Sequence, residues 1–294
     1  MKKKALFFSC LCLMAYMGVG AQELLQTLEK EYPEAPQYAF ATFKTTRIAL
    51  GHSVETRKKG TMELSVFSRF WNLPERTQSF VADRMNARFG ISYALTDRWS
   101  TGFGASNLDG IFDGYLKYRL VEQRTDGKGS PVGITLLQNS SYRSIPNRGI
   151  NASDGFWDKL AFTSQLLIAK KFTPNFSMQL SPTFIHRNSS RAAEDPNNHF
   201  AVGFGARYKV GGHVSITSEY YYLANPVNSF ETFDPFALGV NWELTDLLLQ
   251  FYLCNVGNIA EDAFITQTRN NFNFRDGNLY FGFNATFVLH LTKR

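Results

Sequence analysis

Cysteine, long apolar runs and catalytic signatures are what this 294-residue chain has least of. It holds three cysteines, and Cys10 and Cys12 fall in an N-terminal leader, so Cys254 stands alone once the leader is removed. No intrachain disulfide can then form. Beyond the first 21 residues nothing approaches the roughly 18 consecutive apolar residues that a membrane helix needs. No Gly-x-Ser-x-Gly elbow, His-Glu-x-x-His helix, Cys-x-x-Cys pair or phosphate-binding glycine loop occurs. The sequence therefore points to no enzyme class, no cofactor and no metal. Five histidines are scattered at 52, 186, 199, 213 and 290. His186 and Arg187 are strand neighbours that face opposite ways, so only one can point inward. The carboxylates Glu194-Asp195 and Asp109 with Asp113 could offer oxygens to calcium, but solvated loops are the plainer reading.

Net charge is also modest. Lys2-Lys3-Lys4, the apolar run 5–17 and the small residues Gly18-Val19-Gly20-Ala21 read as a secretory signal cut ahead of Gln22. Removing the three leader lysines leaves 28 basic against 25 acidic residues, a net charge of +3 rather than the +6 of the full chain. The high pI thus belongs largely to the leader, and no nucleic-acid partner is expected. Residues 22–59 are expected to hold a short helix, with Leu24, Leu25 and Leu28 at helical spacing, and then an extended segment in the periplasm or the lumen.

What the chain does have is alternation. Met85, Ala87, Phe89, Ile91, Tyr93 and Leu95 are apolar, while Arg84, Asn86, Arg88, Gly90, Ser92 and Ala94 are polar or small. After Thr96-Asp97-Arg98 the parity resumes with Trp99, Thr101, Phe103 and Ala105. Period two means a strand with one apolar face. A three-residue turn would set Leu95 opposite Trp99 and Ile91 opposite Phe103, giving a hairpin with one apolar side.

About twelve such segments follow one another from residue 60: 61–71, 84–95, 99–106, 111–122, 132–141, 160–171, 176–187, 200–209, 213–223, 235–244, 247–255 and 278–291. Most reach the roughly 9–11 residues of a tilted membrane strand. Short turns at 96–98, 173–175, 210–212 and 245–246 alternate with mostly longer links. The reading is all-β: one closed antiparallel up-and-down transmembrane barrel over 60–294. Turn parity supports it, with Phe172 set opposite Phe176, Tyr208 opposite Val214 and Leu244 opposite Leu247.

The two faces then divide the chemistry. The apolar set, including Leu64, Phe89, Phe103, Leu166, Phe204, Phe251 and Phe287, would meet lipid. Aromatics make up 15% of the chain, and Tyr93, Trp99, Phe172, Phe176, Tyr208 and Trp242 gather by the short turns as a boundary girdle would. The lumen-facing polar candidates are Glu63, Arg69, Arg84, Arg88, Lys117, Arg119, Lys171, Arg187, Arg207, Lys209, Glu219 and Glu243. Basic residues outnumber acids there, which suits an anion-favouring lumen. The plainer alternative is a charge-paired interior that only braces the wall.

Phe112-Asp113-Gly114-Tyr115, Gln179-Leu180-Ser181-Pro182-Thr183-Phe184, Gly205-Ala206-Arg207-Tyr208-Lys209 and Glu219-Tyr220-Tyr221-Tyr222 resemble an uncharacterised family of outer-membrane β-barrels of Bacteroidetes-type bacteria. The resemblance extends to Gly51-His52-Ser53-Val54-Glu55-Thr56 and Ala263-Phe264-Ile265-Thr266. It departs at Ser68-Arg69-Phe70, where the family usually has His-Arg-Phe, and at the last residues, which lack a terminal aromatic. The resemblance implies a location in a Gram-negative outer membrane and a barrel shape, and no activity. Together these readings give a monomeric barrel in outer-membrane lipid, with passage of small polar or anionic solutes as the leading function. The alternative is a non-conducting structural or binding barrel that acts through its long loops. An outer-membrane hydrolase is the least supported.

Overall fold

A computed structural model describes residues 35–72, 82–145, 155–190, 192–272, 275 and 279–291. The expected leader and the 23–30 helix lie outside the described residues, as do most of the 72–83 and 143–158 links. Twelve antiparallel strands close on themselves in sequence order. They are β1 (Thr61–Trp71), β2 (Arg84–Ala94), β3 (Trp99–Ser106), β4 (Ile111–Val121), β5 (Gly133–Arg143), β6 (Leu160–Lys171), β7 (Phe176–Arg187), β8 (Asn198–Lys209), β9 (Val214–Leu223), β10 (Phe236–Glu243), β11 (Leu247–Cys254) and β12 (Tyr280–His290). The pairing of β1 with both β2 and β12 leaves no open edge, so every ladder hydrogen bond is made within the wall, as a hydrocarbon solvent demands.

Register follows the turn parity. Ile91 pairs with Phe103, Phe172 N donates to Phe176 O, and Leu244 N donates to Leu247 O. One turn differs. Tyr208 lies opposite Ile216, not Val214, because the turn closes one residue later, with Val210 N donating to Val214 O. The slip is of two residues, so an apolar side chain still meets an apolar one and both faces keep their sides.

Exposure is inverted relative to a soluble domain. Phe89 and Phe103 on the outer face are 65% and 70% exposed, whereas Arg69 and Lys117 on the inner face are each 1% exposed. Charged side chains are almost never fully buried unless partnered, so the interior must supply partners. Part of its volume is filled by tyrosines laid over glycines of adjoining strands. Tyr221 covers Gly203, its register partner, and Tyr252 covers Gly282, where a β-carbon would stand 2.0 Å from the ring. No helix of the described residues is long and apolar enough to cross a membrane. The α-helix among them, α1 (Glu261–Thr266), sits in the β11–β12 link, and the sequence pattern gave no sign of it.

Candidate functional site

The candidate site is the lumen, and the chain itself fills it from both ends. Residues 39–60 enter at the short-turn end, rise into the barrel, reverse and return to β1. The extended segment expected ahead of the barrel forms no strand over 39–60, where Arg47 and His52 make an isolated antiparallel bridge. The reversal is tight, with Ile48 N donating to Gly51 O at 3.0 Å and Ser53 N to Thr46 O at 3.0 Å. A β-carbon at 51 would lie 1.9 Å from the Tyr221 hydroxyl, so any larger residue there would have to push that ring aside.

A segment without regular structure must place its backbone polar groups elsewhere, and here the wall takes them. Glu219 of β9 accepts the amides of Ala49 at 2.8 Å, Leu50 at 2.5 Å and Gly51 at 3.2 Å. Gln179 of β7 donates to His52 O at 2.8 Å and accepts from Val54 N at 2.7 Å. Gln250 donates to Ile48 O, Thr135 to Val54 O, and Lys117 to Glu55 O. Ion pairs anchor the lower part: Lys44 to Glu243 at 2.7 Å, Arg119 to Glu55 at 2.8 Å and Arg57 to Glu63 at 2.6 Å.

From the long-loop end, α1 turns inward, and all six of its residues are buried. Asp262 accepts from Ser141 at 2.8 Å and pairs with Arg187 at 2.9 Å, and Arg187 also donates to Thr266. Glu261 accepts from Asn139 at 3.0 Å. The two closures then meet. Arg47 pairs with Glu261 at 2.8 Å, and Ala49 and Leu50 join Phe264, Ile265 and Tyr221 in one apolar cluster. Beside Arg47, His52, Arg88 and Tyr115 a void of about 20 Å³ remains, room for about one water.

The structure places the sequence candidates as follows. Glu63, Arg69, Arg88, Lys117, Arg207, Glu219 and Glu243 are buried, and Arg119, Lys171, Arg187 and Lys209 are half-buried toward the rims. Arg84 is exposed at the long-loop end of β2. Arg88 makes a two-point contact with Asp113 at 2.8 and 2.6 Å, and Arg207 pairs with Glu243 at 2.9 Å. Lys171 donates to Phe40 O. Arg69 is an inward arginine with no ion-pair partner among the described residues; its Nε donates to the Tyr252 hydroxyl at 3.5 Å. Of the two strand neighbours, Arg187 points inward and His186 meets Asn198 at the loop edge. Asp195 is engaged by Asn228 and Ser229, and among the described residues no acidic or histidine group is arranged to hold a metal.

Sequence reasoning missed Arg47, His52, Glu261 and Asp262, which lie outside the strands. One signal could have found them. The two non-strand stretches carrying the family resemblance, 51–56 and 263–266, belong to the two segments that meet in the lumen.

Fold and lumen together define a membrane-spanning β-barrel with a self-filled interior. Residues 43–289 match the family described as a membrane-bound beta barrel domain (DUF5777), and the chain belongs to that family. A search of curated proteins finds no match. Among solved structures, the chain is similar to the KdgM porin, at 10% identity and TM-score 0.49, covering 78% of this chain and 99% of that one. The NanC porin follows at 7% identity and TM-score 0.47, covering 78% and 98%. The COG4313 outer-membrane channel from Pseudomonas putida F1 gives 14% identity and TM-score 0.42, covering 80% and 98%.

Proposed function

We propose that the protein is an outer-membrane channel held shut by residues 39–60, and that it passes small polar or anionic solutes when this segment withdraws. The observation that carries this reading is the manner of holding: wall side chains such as Glu219, Gln179 and Gln250 grip the segment mainly through its backbone. Beside its apolar contacts at Phe43, Ile48, Leu50 and Val54, the segment is held by polar and charged groups. Their burial costs hydration that pairing only partly returns and that water would restore on withdrawal. Withdrawal would bare a wall in which Arg69, Arg88, Lys117, Arg119, Lys171 and Arg207 outnumber Glu63, Asp113, Glu219 and Glu243, a surplus that favours anions.

In this reading the even strand number returns both chain ends to one side, the short turns face the periplasm and the long loops face outward. The leader 1–21 is cut on export, and the barrel works as a monomer. The test is ion selectivity in planar bilayers of a variant with a weakened grip, Glu219→Gln. Its openings should favour chloride over potassium, and Arg88→Glu with Arg119→Glu should shift the preference toward cations. Silence from a folded Glu219→Gln barrel would favour the non-conducting alternative.

A further inference from the structure

The two closures come from opposite ends of the barrel, yet they are joined deep inside it. We infer that the Arg47–Glu261 contact is a relay, so that displacement of the β11–β12 loop at one membrane face loosens residues 39–60 at the other. This rests on the reading of 39–60 as a displaceable closure, and adds how its release would be controlled.

The two partners have few substitutes. The Arg47 side chain donates to Leu50 O at 2.9 Å and lies over the Phe67 ring. Its ion-pair partner is Glu261 at 2.8 Å, whose same oxygen stands 3.4 Å from His52 Nε2. Arg47 is 5% exposed and Glu261 is 0% exposed. The neighbouring cation Arg88 is held by Asp113, and Lys117 donates to backbone carbonyls. Among the wall carboxylates, Glu63 is engaged by Arg57 and Glu219 by the reversal at 49–51. Outward movement of α1 would therefore leave the Arg47 guanidinium buried without a counter-ion, a strongly unfavourable state. It would also open the apolar contact of Leu50 with Phe264 and Ile265. The reversal is then left with its wall contacts, such as those at Glu219, Gln179 and Gln250. Coupling of this kind is reciprocal, so withdrawal of 39–60 must equally loosen α1.

The experiment uses the mature chain in folded form with Cys254→Ala and one reporter cysteine. Thr45→Cys reports on the plug and Ala263→Cys on α1; both positions are buried. Heat-modifiable migration confirms that each barrel is closed. Glu261→Gln should speed maleimide labelling of Thr45→Cys by about tenfold or more, and Arg47→Gln should do the same for Ala263→Cys. The exchange Arg47→Glu with Glu261→Arg should return both rates toward the parent. The inference is overturned if either reporter ignores the substitution on the opposite closure, or if the exchange fails to restore protection. Labelling reads the coupling without ion flow, so a silent bilayer would overturn the channel reading while leaving this one standing.

Discussion

The Glu219 carboxylate accepts the Leu50 amide at 2.5 Å, fixing a reversal of the chain against the inner wall of β9. The same carboxylate also holds the Ala49 and Gly51 amides. Glu219→Ala removes the acceptor for three buried donors, which costs about 2–3 kcal/mol in plug docking. Glu219→Gln keeps one oxygen and should cost less. Protease cleavage within 39–60 of the folded barrel measures both, and equal protection of Ala and wild type would contradict the assignment.

Arg69 and Arg88 are both inward cations, yet they should respond oppositely. Arg88→Met strands the Asp113 carboxylate, which is 4% exposed, and should lower stability by about 3–5 kcal/mol. Arg69 strands nothing, so Arg69→Met should raise stability by about 1–3 kcal/mol. Urea midpoints of the folded band give the sign of each change directly.

The Tyr252 ring fills the space over Gly282. Gly282→Val forces the ring aside and should cost about 1–3 kcal/mol through overpacking. Pairing it with Tyr252→Ala should cost less than the sum of the two single changes. Additive costs would show that the ring has room.

Asp195 ties two long loops together. Partial burial alone would raise its pKa, but hydrogen bonds from the Ser229 hydroxyl, the Ser229 and Asn228 amides and the turn at Ala192 outweigh burial and hold it below the ordinary carboxylate value. A folded-state pKa below the unfolded one gives stability that is full above the unfolded value, about 3.9. That stability is lost as pH falls through the lowered folded value. Protease cleavage in 224–234 should therefore rise only in acid below about pH 4. Asp195→Asn should be cut readily at neutral pH with little further change. A wild-type loop that is equally labile at pH 7 and pH 3 would refute the clamp.

The barrel could be read from the sequence because lipid imposes a period of two on every strand, and hairpin turns carry that parity from one strand to the next. Ile91 facing Phe103 follows from counting across Thr96-Asp97-Arg98. Even the β8–β9 turn, which closes one residue later and so shifts the pairing by two, left both faces intact, because parity survives a shift of two. The lumen was half legible. Glu219 and Gln179 could be placed inward by alternation, but not their partners, since Ala49, Leu50 and Gly51 take part through backbone amides that every residue type offers. Glu261 was hidden for a different reason. Its helix lies in a link with no period, and its role depends on Arg47, more than 200 residues earlier in the chain.

The most direct measurement compares single-channel conductance of the mature chain with that of a chain lacking residues 22–59, both shown closed by heat-modifiable migration. The account predicts a mature chain that is shut or opens rarely, and a deletion that conducts steadily with anion preference. A folded deletion that stays silent, or a mature chain that already conducts as well, would contradict it.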